Sequence, residues 1–426
     1  MTTPHPARAL TRDTALNLVG QLAPLAVAFL MLPATISGLG TDRFGILGLA
    51  WAILGSAGMV DLALGRAVTK FASSALARDD REGAAVATLN AARVQMILGI
   101  AGALALAAMT PWLVNSILRV PIELAGETRA VFWLVATAIP AVLVTGCFRG
   151  LLEALGRFDL VNAQRFTYGS MTFAIPWLGV VLGWSLPAIT GMLVAARLAS
   201  AATHATAASS VLPELRCARA GDAMGEVVLF GGHITAANLI LSFHRLSDRF
   251  LVGAFSTLGA VGEFSVASEI ALRLAGIPSS VIGASFPSLA AATTSRDATA
   301  QRSITRRTAS LLLLLMGPPC AVLVLAAHPI LAWWLGEQMA DAAATPLQLL
   351  VVGAFVSSFA GIAVATLQAS GKPETVTRLR LWFAAPFFLV QCWAIAKWGI
   401  DGAAWGVLAR STIETAIMIV AARLAT

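Results

Sequence analysis

The stretch LEALGRFDLVNAQRF at residues 152–166 returns in altered form as LQASGKPETVTRLRL at residues 367–381. The two copies lie 215 residues apart and share the pattern L-x-A-x-G-[RK]-x-[DE]-x-V-x-x-x-R. This offset is about half of the 426-residue chain, and it also pairs Gly191 with Gly406. Several matches near one offset indicate that the chain is a tandem duplication.

The sequence around these repeats is too apolar for a water-soluble protein. Hydrophobic residues make up 58% of the chain and charged residues 12%, whereas soluble domains carry about 25% charged residues. A bilayer core needs about 20 apolar residues per helix. The sequence therefore predicts an all-α integral membrane protein with about twelve transmembrane helices, near residues 17–39, 44–65, 94–114, 130–150, 166–184, 187–209, 227–255, 258–282, 308–330, 346–368, 379–398 and 402–423.

Six predicted helices fall in each half, which gives an N-terminal six-helix lobe at residues 1–212 and a C-terminal one at 213–426. Because six is even, both lobes begin on the same side of the membrane and form parallel repeats. We expect the substrate path to follow a central cavity between the two lobes.

The basic residues predict the orientation of the chain. Of the 29 Lys and Arg residues, twenty lie on one side in the predicted loops and tails, four on the other side and five inside spans. Cytoplasmic loops carry the excess of basic residues, so both termini are expected in the cytoplasm. The predominance of Arg over Lys, with abundant Ala and Gly, is typical of a GC-rich bacterial genome, so the expected location is a bacterial inner membrane. The net charge of +7 is explained by these loops, and we expect no nucleic-acid partner.

Charged residues inside the predicted spans are the candidate functional residues. A charge at the bilayer centre costs roughly 2.5–3.5 kcal/mol on insertion scales, so such residues normally face a polar interior. Arginines outnumber carboxylates there, and guanidinium groups bind phosphate in a bidentate way. The predicted binding residues for an anionic ligand, in particular one that carries phosphate, are Arg197, Arg245, Arg249, Arg273, Arg410 and Asn238.

Four carboxylates in the same spans are candidates for coupling transport to a proton or sodium gradient, as intramembrane carboxylates do in transporters. They are Asp61, Asp248, Glu269 and Glu414. Two of them also lie four residues from an arginine, in the pairs Glu269–Arg273 and Arg410–Glu414. Such pairs can equally be structural, since they neutralise each other on one helix face, and both interpretations stay open.

No catalytic residue, metal site or cofactor is predicted. The four cysteines show no C-x-x-C spacing, and the chain contains no H-E-x-x-H, nucleophile elbow or nucleotide-binding motif. We therefore expect a transporter and not an enzyme.

Two runs resemble a known family. LGTDRFGILGLAWAILGSAGMVDLALGRAVTKF, from Leu39 to Phe71, resembles the first hairpin of oligosaccharide flippases of the Wzx type. LSDRFLVGAFSTLGAVGEFSVASEI, from Leu246 to Ile270, is similar to the seventh helix and following hairpin of that family, including its Asp-Arg pair. These flippases belong to the multidrug/oligosaccharidyl-lipid/polysaccharide (MOP) exporter superfamily.

The resemblance implies a V-shaped pair of lobes around a cationic cavity. It also implies that the protein moves undecaprenyl-pyrophosphate-linked oligosaccharide from the cytoplasmic to the periplasmic leaflet for O-antigen, lipopolysaccharide or exopolysaccharide synthesis. The implied partners are this lipid-linked oligosaccharide, the lipid bilayer and other membrane proteins of polysaccharide assembly.

Two alternatives remain. A multidrug/cation antiporter of the same fold is disfavoured by the basic excess and by the lack of acidic residues at 17–39. A membrane polysaccharide polymerase or glycosyltransferase is disfavoured because no predicted outward loop is much longer than residues 115–129.

Overall fold

In a computed structural model the protein is built of helices joined by short turns. The structure describes the backbone of residues 6–218, 242–295, 297–370 and 372–425, and their side chains other than those of 6–23, 59–64, 287, 290, 291, 294, 373 and 425. These ranges contain no β-strand.

The helices are long, and most extend beyond the predicted spans. In chain order they are α1 (Pro6–Leu76), α2 (Arg81–Trp112), α3 (Ile122–Ala154), α4 (Phe158–Val181), α5 (Leu186–Val211), α6 (242–255), α7 (Leu258–Leu274), α8 (Gly276–Thr294), α9 (Ala298–Leu325), α10 (Ala327–Leu335), α11 (Glu337–Ala369) and α12 (Pro373–Ala425). Short helical turns follow α2 at Leu113–Ile117 and α5 at Pro213–Arg216.

Eight stretches of the described chain are long and apolar enough to cross a membrane. The first, Pro24–Gly58, joins parts of the first two predicted helices, and the last, Glu374–Leu424, contains the last two. The other six each match one predicted helix. The fifth predicted helix lies in α4, and the described part of the seventh is α6. The predicted class, an all-α integral membrane protein, is confirmed.

Two predicted helices are interrupted. The predicted helix at 258–282 is divided at Ala275 into α7 and α8. Pro278 lies in the first turn of α8, where its missing N–H removes no helical hydrogen bond. The predicted helix at 308–330 ends early, because α9 stops at Leu325 and the short α10 follows.

The duplication seen in the sequence is also present in the helix bounds. Helices α3 and α11 are 33 residues long each, and both their first and last residues differ by the repeat offset of 215. The first residues of α4 and α12, Phe158 and Pro373, differ by the same offset. The repeat is therefore a repeat of structure.

The shared motif supplies a helix end and core residues. Backbone N–H groups of Arg157 and Lys372 donate to the carbonyl oxygens of Leu152 and Leu367, at 2.9 and 3.0 Å. This six-residue closure is the C-terminal bond of a Schellman motif, and Gly156 has the positive φ of 71° that the motif needs. The motif's first Leu is fully buried in both copies, and its Val is 3% exposed at both Val161 and Val376.

A glycine of positive φ also follows the next helical segment of each copy. Gly183 (φ 69°) lies between α4 and α5, and Gly399 (φ 57°) breaks α12 into two segments. Only glycine adopts this backbone region without a steric penalty. We name the two parts of α12 its first segment, 373–398, and its second segment, 400–425.

The chain separates into two compact units, Met1–Phe243 and His244–Thr426, here called the N-terminal and C-terminal units. The predicted boundary at 212/213 stays a prediction, since residues 219–241 lie outside the described ranges. An apolar cluster that includes Leu151, Leu152 and Leu212 packs the N-terminal unit.

Candidate functional site

Three helices of the C-terminal unit bring most of the predicted charged residues together. On α6 and α7, Glu269 binds two arginines at once, with Arg249 Nη2 donating to its Oε1 at 3.0 Å and Arg273 Nη2 to its Oε2 at 3.3 Å. The Arg249 side chain is 8% exposed, and that of Glu269 is 17% exposed. With two arginines and one glutamate, this group of three residues has a net charge of +1.

The predicted pair Glu269–Arg273 is therefore present, but it is part of a larger arrangement. Arg249 comes from the preceding helix, 20 residues earlier in the chain. A carboxylate that accepts one guanidinium on each oxygen holds α6 and α7 together while it keeps both cations oriented.

A second ion pair joins α6 to α12. Arg410 Nη2 donates to Asp248 Oδ2 at 3.0 Å, and the side chains are 14% and 6% exposed. Arg410 lies ten residues into the second segment of α12, which at 1.5 Å per residue is about 15 Å along the helix. The pair is thus a buried contact far from either end of the segment.

The residues Arg410 and Glu414, for which a structural ion pair was one of two open interpretations, do not pair with each other. Glu414 accepts from Arg380 Nε at 2.8 Å, while Arg410 bonds to Asp248. Arg380 lies on the first segment of α12, so Glu414 holds the two segments of that helix against each other. The i,i+4 spacing allows a pair on one helix face. In the structure, however, Arg410 bonds to Asp248 of α6 and Glu414 bonds to Arg380 of the first segment of α12.

The described charges of this unit's cluster are basic in sum. Four arginines (Arg249, Arg273, Arg380, Arg410) meet three carboxylates (Asp248, Glu269, Glu414) in these contacts. Arg245, with an exposed side chain on α6, adds a further positive charge. An excess of guanidinium groups suits an anionic ligand.

Arg197 belongs to the N-terminal unit. Its Nη2 donates to Thr172 Oγ1 at 3.1 Å, from α5 to α4. Among the residues that the structure describes, no carboxylate lies within 4.0 Å of the Arg197 guanidinium. The residue is half-buried and eleven residues from the start of α5, about 16 Å along the helix.

Two predicted site residues fall outside what is described. Asn238 belongs to the range 219–241, and Asp61 lies on α1 at a position whose side chain is not among those described. Their assignments stay predictions.

Sequence reasoning missed two contributors. Arg380 was counted with the cytoplasmic loops, yet it is 17% exposed and pairs with Glu414. Thr172, the partner of Arg197, drew no attention because one threonine in an apolar helix carries no signal. The repeat could have indicated Arg380, since it is the last residue of the shared motif.

One group of described side chains has the composition of a metal site. His328, Glu337 and Asp341 place one ligand atom each within 4.8 Å of one another, and His328 Nε2 lies 2.9 Å from Asp341 Oδ1. All three side chains are about half exposed or more. Their hydrogen-bonded and ionic contacts account for the arrangement, and the sequence prediction named no metal.

A comparison with protein families now adds to this geometry. A family model described as polysaccharide biosynthesis protein matches residues 10–293, two-thirds of the chain. The chain belongs to this family. The expected relation to proteins of polysaccharide synthesis is thereby confirmed.

Individual relatives agree with this membership. A Shigella flexneri protein, provisionally named an O-antigen transporter, is 24% identical over 400 residues, which cover 93% of this chain and 94% of the relative. The present chain also shares its fold with a multidrug-resistance transporter of the MATE family that was solved in an inward-facing conformation. The TM-score is 0.79 at 13% identity, and the match covers 98% of this chain and 97% of the transporter. A MOP superfamily transporter from Pyrococcus furiosus has the same fold (TM-score 0.71, 12% identity, 100% and 98% covered).

Proposed function

We propose that the protein moves a lipid-linked oligosaccharide across the bacterial inner membrane, from the cytoplasmic to the periplasmic leaflet, with both chain termini in the cytoplasm. The substrate is an undecaprenyl-pyrophosphate-linked glycan destined for a surface polysaccharide such as O-antigen. No bond is made or broken, so the protein acts as a transporter.

The observation that carries this proposal is the excess of arginine among the charged residues of the predicted spans in a polysaccharide-family protein. Arg249 and Arg273 both bond to the Glu269 carboxylate, and Arg197 bonds to a hydroxyl. A pyrophosphate group supplies the negative oxygens that such guanidinium groups bind best. A carrier of cationic drugs would need the opposite balance of charge.

Glu269 offers a route for coupling to an ion gradient. When a phosphate oxygen takes the place of Glu269 Oε2 on Arg273, this Oε2 atom becomes available to a cation, either a proton or Na⁺, while Oε1 keeps its bond to Arg249. Substrate and coupling ion would then use the same side chain in turn, and a local contact would link them. Asp61, Asp248 and Glu414 are further candidates, of which the last two are already engaged by one arginine each.

The test begins with the gene deleted in its own host, where the lipid-linked oligosaccharide should accumulate on the cytoplasmic leaflet. A plasmid copy should restore surface glycan. Arg249→Ala and Arg273→Ala should abolish this restoration at normal protein levels, and the Lys variants should rescue only in part, because ammonium lacks the bidentate fork.

Coupling is tested with the purified protein in liposomes under an imposed pH or sodium gradient. Glu269→Gln keeps the shape and hydrogen bonding of the side chain but cannot ionise, so transport should lose its response to the gradient. Glu263→Gln, on the same helix and half-buried, is the matched control and should respond like the wild type. Normal coupling in Glu269→Gln would rule Glu269 out as the coupling site.

The competing function, export of cationic drugs, makes a different prediction. If the deletion strain became sensitive to cationic compounds while its surface glycan stayed intact, the flippase proposal would be wrong.

A further inference from the structure

Helices α4 and α5 of the N-terminal unit are joined by a row of polar contacts. Gln164 Nε2 donates to the carbonyl oxygen of Thr203 at 3.3 Å, the Tyr168 hydroxyl lies 3.1 Å from Thr203 Oγ1, and Arg197 Nη2 donates to Thr172 Oγ1 at 3.1 Å. We name these five residues the α4–α5 seam.

The seam runs along one face of α4. Gln164, Tyr168 and Thr172 follow each other at intervals of four residues, which places them above one another on a helix. From Gln164 to Thr172 the helix rises about 12 Å. The row therefore leads from near the end of α4 at Phe158 toward the depth of Arg197.

The fold itself does not require polar residues at this seam. The repeat offset of 215 places Leu379, Phe383 and Phe387 on the first segment of α12 where α4 has its three polar residues. The counterpart of Thr203 is Met418, which is 1% exposed in the C-terminal core. At these four places the second copy is therefore apolar, although its two helical segments are joined elsewhere by the Arg380–Glu414 pair and the counterpart of Arg197 is Thr412.

Polar side chains in a membrane segment need a polar surrounding. Thr203 is exposed, and the other four seam residues are half-buried, so the row is open along one side of its unit. The Thr172 and Thr203 hydroxyls donate to carbonyl oxygens of their own helices, so the need for a polar surrounding comes from the Arg197 guanidinium and its remaining N–H donors. An open side beside this group suits water or a polar ligand.

The seam also keeps hydrogen-bonding capacity in reserve. The Oε1 atom of Gln164 is buried with no hydrogen-bond partner among the described residues. A guanidinium group offers five N–H donors, and Thr172 Oγ1 takes up one of those of Arg197. Tyr168, the one tyrosine of the chain, combines a hydroxyl with an aromatic face.

Such a mixture recognises a sugar. Sugar hydroxyls donate and accept hydrogen bonds, as the amide and hydroxyl groups of the seam do, and a sugar ring packs against an aromatic side chain. We propose that the α4–α5 seam binds the sugar residues nearest to the pyrophosphate of the transported glycolipid, with Arg197 at the phosphate end. This inference rests on the proposed function and adds a specificity site to it.

The sharpest test transplants the second copy of the repeat onto the first. The triple variant Gln164→Leu, Tyr168→Phe and Thr203→Met installs the residues that the C-terminal unit already accepts at equivalent places. Tyr168→Phe alone is a milder variant that removes one hydroxyl. Thr167→Val is the matched control, because this exposed threonine on α4 bonds to the carbonyl oxygen of Ala163, which is not a seam residue.

Binding is measured with the purified full-length protein in nanodiscs and two probes. One probe is the lipid-linked oligosaccharide purified from the deletion strain, and the other is undecaprenyl pyrophosphate without sugar. The triple variant should bind the glycolipid at least about tenfold more weakly, since each lost hydrogen bond costs roughly two- to tenfold in affinity. Binding of the bare carrier should stay within about twofold, and Tyr168→Phe should show a smaller change of the same kind.

Each outcome decides between the two proposals. Unchanged glycolipid binding by the triple variant, or an equal loss for both probes, would overturn the seam while leaving the flippase proposal intact. Failure of the wild-type protein to bind either lipid would overturn the flippase proposal and the seam with it. If the triple variant does not fold, as judged by thermal unfolding, the selectivity of Tyr168→Phe between the two probes decides.

Discussion

The α4–α5 pair of the N-terminal unit and the two segments of α12 descend from the same repeat, yet their arginines have different kinds of partner. In α12, Arg380 and Arg410 both contact carboxylates. In α5, Arg197 contacts a threonine hydroxyl. Neutralised charges are compatible with a static role in packing, whereas a membrane-embedded cation on a neutral partner has a structural cost that a polar surrounding or an anionic ligand offsets.

The largest loss of stability is expected from a substitution of Asp248. Asp248→Ala would leave Arg410 buried without its carboxylate, and removal of one partner from a buried ion pair costs about 3–5 kcal/mol. We expect a marked fall in the melting temperature of the purified protein in detergent. The double variant Asp248→Leu with Arg410→Met should recover most of this loss, because an apolar pair of similar volume replaces both charges. A double variant as unstable as Asp248→Ala would show that the pair does more than neutralise.

Arg197 should behave in the opposite way. Arg197→Met removes a charge that costs roughly 2.5–3.5 kcal/mol to place at the bilayer centre, so the melting temperature should stay equal or rise, while delivery of glycan to the cell surface is lost. The measurements are thermal unfolding in detergent and surface glycan in the complemented deletion strain. A destabilisation as large as that of Asp248→Ala would show that Arg197 has a structural role and would contradict this prediction.

The smallest effect is expected outside the membrane, where Arg81 donates to Glu214 at 2.6 Å. This guanidinium lowers the pKa of the Glu214 carboxyl through its hydrogen bond and its charge. A lowered folded-state pKa means that the contact stabilises the protein above the pKa of the unfolded chain and is lost as the pH falls through the folded-state value. Both side chains are well exposed, and exposed pairs contribute little.

Glu214→Gln should therefore leave the melting temperature at neutral pH unchanged within error. Any small loss that is seen should disappear in acid, where the wild-type carboxyl is protonated as well. A loss that persisted in acid would mean that Glu214 acts by packing and not by charge.

Much of the architecture could be predicted because its signals are local. The apolar runs indicated the helices, and the repeated motif indicated the duplication that α3 and α11 reproduce in length and offset. The structure differs from the prediction where a local turn interrupts a helix. At Ala275 such a turn divides one predicted span into two helices.

The candidate site was less predictable. Sequence spacing identified the buried charges and the pair Glu269–Arg273, which is present. It assigned Glu414 to Arg410, although the structure pairs Glu414 with Arg380. Spacing along one helix limits which side chains can meet on that helix, but it carries no information about the helix that packs beside it.

Hydropathy, repeat offset and charge are properties of the linear chain, so they identify a duplicated helical membrane protein with a basic excess in its spans without any structure. Which of these charges are neutralised depends on how the helices pack. Asp248 and Arg410 meet across 162 residues of chain, and Arg197 faces Thr172 across 25. Such partners are selected by the packing of helices, since an ion pair or hydrogen bond forms only where two backbones bring oriented side chains within about 3 Å.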